Sequence, residues 1–148
     1  MKYTNEVIIN LPRQKVVELF ENPDNLAKWQ PGFISIESVE GSSGEVGSKH
    51  KLKYKMGKRD IEMIETITKS DLPHLFGATY EAKNVFNSID NHFEDLGDGK
   101  TRYSTDNEFK MSGTMKIFGW LMPGAFKKQS QKYLDLFKEF AEKEASGS

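Results

Sequence analysis

The chain has no cysteine among its 148 residues, which excludes disulfide bonds and thiolate chemistry. This absence is compatible with a reducing compartment, and a cytoplasmic location is the default expectation. The chain also has almost no net charge, since 21 basic and 22 acidic residues leave a balance of -1. A protein with this balance has no general attraction for a phosphate backbone, so we expect no nucleic-acid partner.

Long apolar runs are missing too. The longest stretch without charge, residues 117–126, is interrupted by Gly119, Pro123 and Gly124 and is much shorter than the roughly 20 apolar residues of a membrane span. The N-terminal residues lack the apolar segment of a secretory signal. We therefore expect no integral membrane insertion.

Motifs for metal or nucleotide chemistry are absent. The histidines, His50, His74 and His92, do not have the helical spacing of a ligand pair, and a chain without cysteine offers no recognisable zinc motif. The phosphate loop, the dinucleotide fingerprint and the Gly-x-Ser-x-Gly nucleophile elbow are also missing. We expect neither a metal nor a cofactor.

The sequence does contain one long amphipathic helix, predicted from Ala125 to Glu144. Its apolar stripe repeats at helical spacing, while Lys and Glu side chains occupy the opposite face; the stripe consists of Phe126, Ser130, Tyr133, Leu134, Phe137 and Phe140. A helix of this length extends about 30 Å. It can therefore lie across the whole face of a small sheet.

Upstream of this helix the chain is predicted to form strands and turns. The first strand, Lys2–Leu11, leads through Pro12 into a helix, and Asn22 caps a second helical turn that runs through Trp29. Further strands are predicted at Phe33–Glu40, Ser48–Met56, Arg59–Ser70, His74–Ala82, Ser88–Leu96 and Thr101–Met111. No linker divides the chain, so residues 1–148 should form a single domain with 146–148 as a frayed tail.

Six short segments, spread over nearly the whole chain, occur in a characteristic order: Ile9-Asn10-Leu11-Pro12, Asn22-Pro23-Asp24-Asn25-Leu26-Ala27-Lys28-Trp29, Glu45-Val46-Gly47-Ser48, Asp71-Leu72-Pro73, Gly97-Asp98-Gly99-Lys100-Thr101 and the helix Leu134 to Glu142. Together with the order of elements, they resemble the START-like superfamily, also called helix-grip or birch-pollen-allergen-like, and within it the bacterial SRPBCC proteins described as polyketide cyclase/dehydrase-like. This resemblance implies an α+β helix-grip fold, in which a seven-stranded antiparallel sheet wraps around the long C-terminal helix and leaves a largely apolar cavity. Such folds have many functions, so the resemblance alone does not decide the activity.

Strand parity indicates which side chains would line that cavity, because alternate residues of a strand share a face. The inferred inner face is apolar and aromatic with a few polar groups, which suits a hydrophobic or amphipathic small molecule such as a lipid or a polyketide-like compound. The predicted ligand-binding residues are Tyr54, Met56, Met63, Tyr80, Asn91, Phe93, Tyr103, Asn107, Phe109, Trp120, Met122, Phe126 and Tyr133. The alternative interpretation of the same list is a filled core.

Glu65 alone carries a charge on this inferred face, and His50 lies one strand away. A carboxyl group removed from water there could act as an acid or base with His50 as its partner, as a cyclase or dehydratase requires. A structural role, with a tyrosine hydroxyl hydrogen-bonded to Glu65, is the favoured interpretation. Binding of a hydrophobic ligand is therefore the first functional hypothesis, cyclase or dehydratase chemistry the second, and co-chaperone-type binding of a protein partner the third.

The segment 115–124 is too apolar for an ordinary surface connection. We expect Pro123 and Gly124 to interrupt the helix and to leave Phe118 and Trp120–Met122 as a flap over the cavity mouth. The other interpretation is an interface, either with a second copy of the chain in a homodimer or with a membrane surface.

Overall fold

A computed structural model describes residues 1–147 and places seven strands in one antiparallel sheet. The strands are β1 (Lys2–Ile9), β2 (Phe33–Glu40), β3 (Lys49–Met56), β4 (Arg59–Asp71), β5 (Leu75–Ala82), β6 (Val85–Gly97) and β7 (Lys100–Met111). Their order in the sheet is β1-β7-β6-β5-β4-β3-β2. Successive hairpins thus build the sheet from β2 to β7, and β1 completes it by pairing with β7.

The helices are α1 (Arg13–Glu21), α2 (Leu26–Trp29), α3 (Gly113–Leu121) and α4 (Pro123–Ser146), with a 3-10 turn at Pro23–Asn25. Asn22 caps the 3-10 turn as predicted, because its side chain accepts a hydrogen bond from the backbone N of Asp24 at 3.0 Å. Pro123 occupies the start of α4, where its missing N–H costs no hydrogen bond. Each helix within residues 1–147 is either too short or too polar to cross a bilayer.

Helix α4 lies on the inner face of the sheet and is joined to β1 by side-chain hydrogen bonds. The Tyr3 hydroxyl lies 2.7 Å from Ser130 Oγ and also donates to the carbonyl of Phe126 at 3.1 Å. Asn5 donates from Nδ2 to Gln131 Oε1 at 2.9 Å. These contacts identify the inner face as the one that carries Tyr3 and Asn5.

The core is centred on Phe137, whose side chain is 0% exposed. Its ring meets Tyr103 of β7 at 5.6 Å and Trp29 of α2 at 5.2 Å between centroids, while the rings of Phe93 and Tyr103 stack at 4.8 Å. Fully burying an aromatic ring of this kind contributes up to about 3 kcal/mol. The aromatic cluster therefore fixes α4 over the β6–β7 side of the sheet.

Apart from shifts of one or two residues at the ends of elements, the structure differs from the sequence prediction at α3 and at the start of β6. Residues 113–121 form helix α3, whereas the sequence pattern indicates a flap in the segment 115–124 and gives no sign of a helix there. Strand β6 begins at Val85 instead of Ser88, because Asn84 adopts a positive φ of 65° and makes a tight turn possible after Ala82. Ser146, the first residue of the predicted frayed tail, is the last residue of α4, and Ser148 lies outside the described residues, so the frayed tail remains a prediction.

Candidate ligand-binding site

A row of polar side chains crosses the inner face of the sheet at β3, β4 and β5. His50 is the register partner of Glu65, and Glu65 is the register partner of Tyr80. Directly opposed residues of antiparallel strands have their Cβ atoms only about 5 Å apart. The pairing therefore brings the imidazole, the carboxyl group and the phenol into one group.

The two oxygens of the Glu65 carboxylate have different surroundings. Tyr80 donates from its hydroxyl to Glu65 Oε2 at 2.8 Å. His50 Nδ1 lies 3.2 Å from Oε1, within ion-pair distance, but it is not aligned for a hydrogen bond and is a buried nitrogen without a hydrogen-bond partner. The Glu65 side chain is 14% exposed, so it is largely removed from water. Within residues 1–147, its Oε1 receives no aligned hydrogen bond and can accept one from a bound molecule.

Polar groups from α4 and from the residue that follows α2 converge on the same place. The Tyr54 hydroxyl donates to Gln30 Oε1 at 2.6 Å. Burial raises the pKa of Tyr54, and the nearby Tyr133 and Glu65 raise it further. Tyr133 of α4 packs against Trp29, and Tyr54 of β3 binds the next residue, Gln30, so helix and sheet approach each other here. We call the group made of Gln30, His50, Tyr54, Glu65, Tyr80 and Tyr133 the Glu65 cluster.

The Tyr80 hydroxyl remains a hydrogen-bond donor over a wide pH range. Burial raises its pKa well above the ordinary value, and the charge of Glu65 and the hydrogen bond to it act in the same direction. Deprotonation would place two negative charges side by side in a poorly solvated site. Tyr80 therefore serves to orient Glu65 and is not a source of protons near neutral pH.

Apolar and aromatic side chains surround the Glu65 cluster. Trp29 packs edge-on against Tyr133 at 6.4 Å, and Phe33 packs edge-on against Tyr54 at 5.7 Å. Ile61 and Met63 are half-buried and alternate with exposed residues on β4. Mostly apolar walls with a few convergent polar groups are typical of small-molecule sites.

A second polar group lies on the inner face nearer to β1. Its side chains are all buried and come from β1, β6 and β7: Asn5, Asn87, Asn91, Thr105 and Asn107. Asn91 is well satisfied, because it accepts from the Tyr103 hydroxyl at 2.7 Å and donates to the carbonyl of Phe76 at 3.0 Å. Within residues 1–147, the one buried side-chain atom of this group that lacks a hydrogen-bond partner is Asn5 Oδ1. The group is therefore mainly a structural network.

Two depressions that are open to solvent lie elsewhere on the surface. One, of about 450 Å³, is bordered by Lys2, Thr4, Ser88, Asp90, Asp106 and Glu108 on the outer face, with Tyr3 and Asn107 beside them. The other, of about 350 Å³, lies along Glu62–Ile64 and Glu81–Lys83. Among the predicted ligand-binding residues these depressions reach only Asn107 and Met63. An enclosed cavity at the Glu65 cluster remains a prediction that a ligand titration tests.

Comparison with known proteins gives the family. The family model described as polyketide cyclase / dehydrase and lipid transport matches residues 1–142.

The chain belongs to this family.

The structural neighbours of this member of the polyketide cyclase/dehydrase and lipid transport family share its helix-grip fold. They include the Zhui aromatase/cyclase from Streptomyces sp. R1128, with a TM-score of 0.77, 13% identity and coverage of 98% of this chain and 95% of that chain. A protein from Thermus thermophilus has a TM-score of 0.75, 17% identity and 100% coverage of both chains. Norcoclaurine synthase from Thalictrum flavum has a TM-score of 0.69, 14% identity and coverage of 94% and 84%. No curated protein matches the chain.

The predicted ligand-binding residues fall into distinct places in this family member. Tyr54, Tyr80 and Tyr133 belong to the Glu65 cluster, together with the two candidate catalytic residues, Glu65 and His50. Phe93 and Tyr103 stack in the packed core, and Phe109 and Phe126 pack against each other. Asn91 and Asn107 lie in the second polar group, and Met63 is half-buried on β4.

Three predicted residues are exposed to solvent. These are Met56, Trp120 and Met122, and Trp120 is 79% exposed. In the described structure α3 packs against Met111 of β7 and Phe126 of α4 and leaves Trp120 exposed, so a flap over the cavity mouth remains a prediction.

Sequence reasoning missed Gln30 and Asn5 as members of the two polar groups. Asn5 could have been found, because it shares the strand parity of Val7 and Ile9 on β1. Gln30 follows the end of α2 and has no periodic pattern around it. Only the tertiary fold brings its side chain to Tyr54.

Proposed function

We propose that the protein binds a hydrophobic or amphipathic small molecule, of lipid or polyketide-like chemistry, non-covalently at the Glu65 cluster. The observation that carries this proposal is the Glu65 carboxylate. It lies on the inner face among aromatic and aliphatic side chains, oriented by Tyr80 and with Oε1 left without an aligned donor. A hydroxyl or amine group of a bound molecule would satisfy that oxygen, while its apolar part would contact the surrounding rings.

The family and its fold support the same class of function. The family description includes lipid transport, and the neighbour Zhui is an aromatase/cyclase. Both descriptions concern molecules with an extended carbon skeleton. The local chemistry of the Glu65 cluster is suited to such a skeleton with at least one hydrogen-bond donor.

The test is a displacement titration with the fluorescent probe N-phenylnaphthylamine. We expect saturable binding of the probe, and displacement by a long-chain alcohol at roughly micromolar concentration. An alkane of the same length should displace the probe less well, because it cannot donate to Glu65. Absence of saturable probe binding to the folded protein would contradict the proposal.

A matched pair of tyrosine variants locates the binding site. Tyr133→Phe removes a hydroxyl from the Glu65 cluster, whereas Tyr3→Phe removes one from the β1 end of the same inner face, where it bonds Ser130. In the proposed complex the ligand hydroxyl donates to Glu65 and accepts from the Tyr133 hydroxyl. Loss of the second hydrogen bond should weaken alcohol binding about fivefold in Tyr133→Phe, and Tyr3→Phe should leave the binding unchanged. Equal effects of the two variants would place the ligand elsewhere.

A second candidate function, cyclase or dehydratase chemistry, is favoured by the arrangement of His50, Glu65 and Tyr80. Glu65 would remove a proton from the carbon beside a carbonyl and, now protonated, would give that proton to the β-hydroxyl group, which leaves as water as the carbon–carbon double bond forms. Mass spectrometry of a β-hydroxy ketone incubated with the protein separates the two functions. A product lighter by one water supports the enzyme, and recovery of the unchanged compound supports simple binding.

A further inference from the structure

Helix α3 presents an apolar surface to solvent. Ile117 is 60%, Trp120 79% and Leu121 64% exposed. Ile117 and Leu121 are four residues apart, as are Lys116 and Trp120, so all four share one side of the helix. Such a concentration of large exposed apolar side chains on a short helix marks a contact surface.

The opposite side of α3 holds the helix against the sheet. A Cβ atom at Gly119 would stand 2.5 Å from Met111 Cε, so the glycine allows α3 to approach the end of β7 closely. Phe118 packs edge-on against Phe126 of α4 at 5.7 Å. The apolar residues on the outer side are thus displayed by a helix whose other side is already in contact with the protein.

This part of the chain is also strongly basic. Between Phe109 and Leu134 there is no Asp or Glu and there are five lysines: Lys110, Lys116, Lys127, Lys128 and Lys132. Since the whole chain carries -1 and this segment +5, the remainder carries -6. Lys110 lies 3.7 Å from Glu108, while the other four lysines have no acidic partner within residues 1–147.

We propose that this surface docks the protein on an anionic lipid bilayer. We call it the α3 patch and define it by Lys116, Ile117, Trp120, Leu121, Lys127 and Lys128. Tryptophan with aliphatic neighbours is suited to the boundary between headgroups and acyl chains, and each lysine near an anionic surface adds about 1 kcal/mol of attraction. The lysines supply the electrostatic attraction and the exposed apolar residues supply the apolar contact, and both belong to the α3 patch.

The charge distribution favours a bilayer over a second copy of the chain. In a two-fold symmetric dimer the same patch meets itself, so the unpaired lysines of one protomer would oppose those of the other. Opposed like charges are unfavourable, whereas an anionic membrane neutralises all of them together. This inference concerns where the protein acts and does not depend on the ligand of the Glu65 cluster.

Vesicle sedimentation of the full-length protein tests the proposal. We expect binding to phosphatidylcholine vesicles that contain about 30 mol% phosphatidylserine, and little binding to vesicles of phosphatidylcholine alone. Raising the salt concentration from about 0.1 M to about 0.5 M should weaken the binding by screening. Tryptophan emission should shift to shorter wavelength on binding, because Trp120 is exposed while Trp29 already packs against Tyr133 and Phe137.

Two variants test the apolar and the electrostatic contributions to membrane binding separately. Trp120→Ala should weaken the partitioning about tenfold and abolish the spectral shift, with an unchanged melting temperature. Lys127→Glu combined with Lys128→Glu should weaken it at least about fivefold per position, and only on anionic vesicles. The matched controls, Val46→Ala and Lys58→Glu with Lys100→Glu, change exposed residues outside the patch and should leave binding intact.

Three results with the wild type and Trp120→Ala would overturn the inference. These are no sedimentation with anionic vesicles, equal sedimentation with neutral and anionic vesicles, or a dimer in solution that Trp120→Ala dissociates. The last result would assign the α3 patch to a second copy of the chain. Loss of binding in the control variants to the same degree would likewise exclude a specific role for the patch.

Discussion

The Tyr80 hydroxyl and the Glu65 carboxylate are joined by a hydrogen bond of 2.8 Å between register partners on β5 and β4. The bond crosses the inner face of the sheet, where Glu65 is largely shielded from water. It sets the orientation of the carboxylate and leaves Oε1 for His50 or for a bound molecule. This hydrogen bond therefore contributes both to the stability of the sheet and to the geometry of the site.

Tyr80→Phe should destabilise the protein at neutral pH. The change removes the donor and leaves a largely buried carboxylate oxygen without a partner, so the free energy of unfolding should fall by about 1–3 kcal/mol. Urea unfolding measures the change. Tyr3→Phe, whose hydroxyl contacts the neutral groups of Ser130 and Phe126, should cost less, about 0.5–1.5 kcal/mol. A smaller loss in Tyr80→Phe than in Tyr3→Phe would contradict the importance of the charged acceptor.

The protein should lose stability in alkaline solution. Burial raises the pKa of Tyr54, Tyr80 and Tyr103 above 10.0, the ordinary value that applies to the unfolded chain. The stabilising contribution of each protonated phenol is fully present below about pH 10 and is lost as the pH rises toward the folded-state pKa, because only the unfolded chain ionises readily there. Urea unfolding midpoints should therefore decline above about pH 10.

A variant that lacks one phenol measures how much Tyr80 contributes to the loss of stability in alkaline solution. Tyr80→Phe removes one of the phenols with a raised pKa, so its stability should fall less steeply above about pH 10 than that of the wild type. Parallel pH profiles for the two proteins would show that Tyr80 titrates normally.

Gly32→Ala should be strongly destabilising. Gly32 has a positive φ of 73°, and an added Cβ would collide with the backbone carbonyl oxygen of Lys55. Strain from the left-handed conformation adds to this collision, so we expect a loss of about 3 kcal/mol or more. Gly44→Ala is the matched control, because Gly44 has a φ of 86° but no atom within 4 Å of the added Cβ. In Gly44→Ala the free energy of unfolding should fall by about 1–2 kcal/mol, from the conformation alone. Equal losses for the two variants in thermal or urea unfolding would contradict the collision with Lys55.

Much of the fold follows from local patterns in the sequence. Strand β2 was predicted with the observed bounds, and β3, β4 and β7 within a residue at either end, because alternating polarity and glycine turns mark them clearly. The pattern fails for α3, where glycines and consecutive apolar residues give no helical stripe. Helix α3 packs closely against Met111 at Gly119, and this tertiary contact has no counterpart in the local sequence pattern.

The site is predictable to the extent that it lies on strands. Parity placed His50, Glu65 and Tyr80 on one face, and the register of the observed sheet joins them directly. Parity does not give the distance between α4 and the sheet, so it could not distinguish Tyr133, beside Tyr54, from the core residue Phe137. It also could not predict that Trp120 is exposed, because this side chain belongs to a helix that the sequence pattern did not indicate.

Glu65→Gln separates ligand binding from catalysis. Glutamine keeps the shape of the side chain and an oxygen that accepts from Tyr80, so the free energy of unfolding should change by less than about 1.5 kcal/mol. Under the proposed binding function, the wild type and the variant both return a β-hydroxy ketone unchanged, and the variant binds a long-chain alcohol less tightly because its acceptor is no longer charged. Mass spectrometry and probe displacement measure these two quantities.

The control for this prediction is Glu62→Gln on the same strand. Glu62 is exposed and pairs with Lys53 at 3.4 Å, so the same chemical change there should alter neither binding nor the recovered compound. If the wild type and Glu62→Gln dehydrate the β-hydroxy ketone while Glu65→Gln does not, the carboxylate is the base of a dehydratase and the binding proposal is wrong. The position of Glu65, oriented by Tyr80 and shielded from water, makes it the residue at which these two functions differ most.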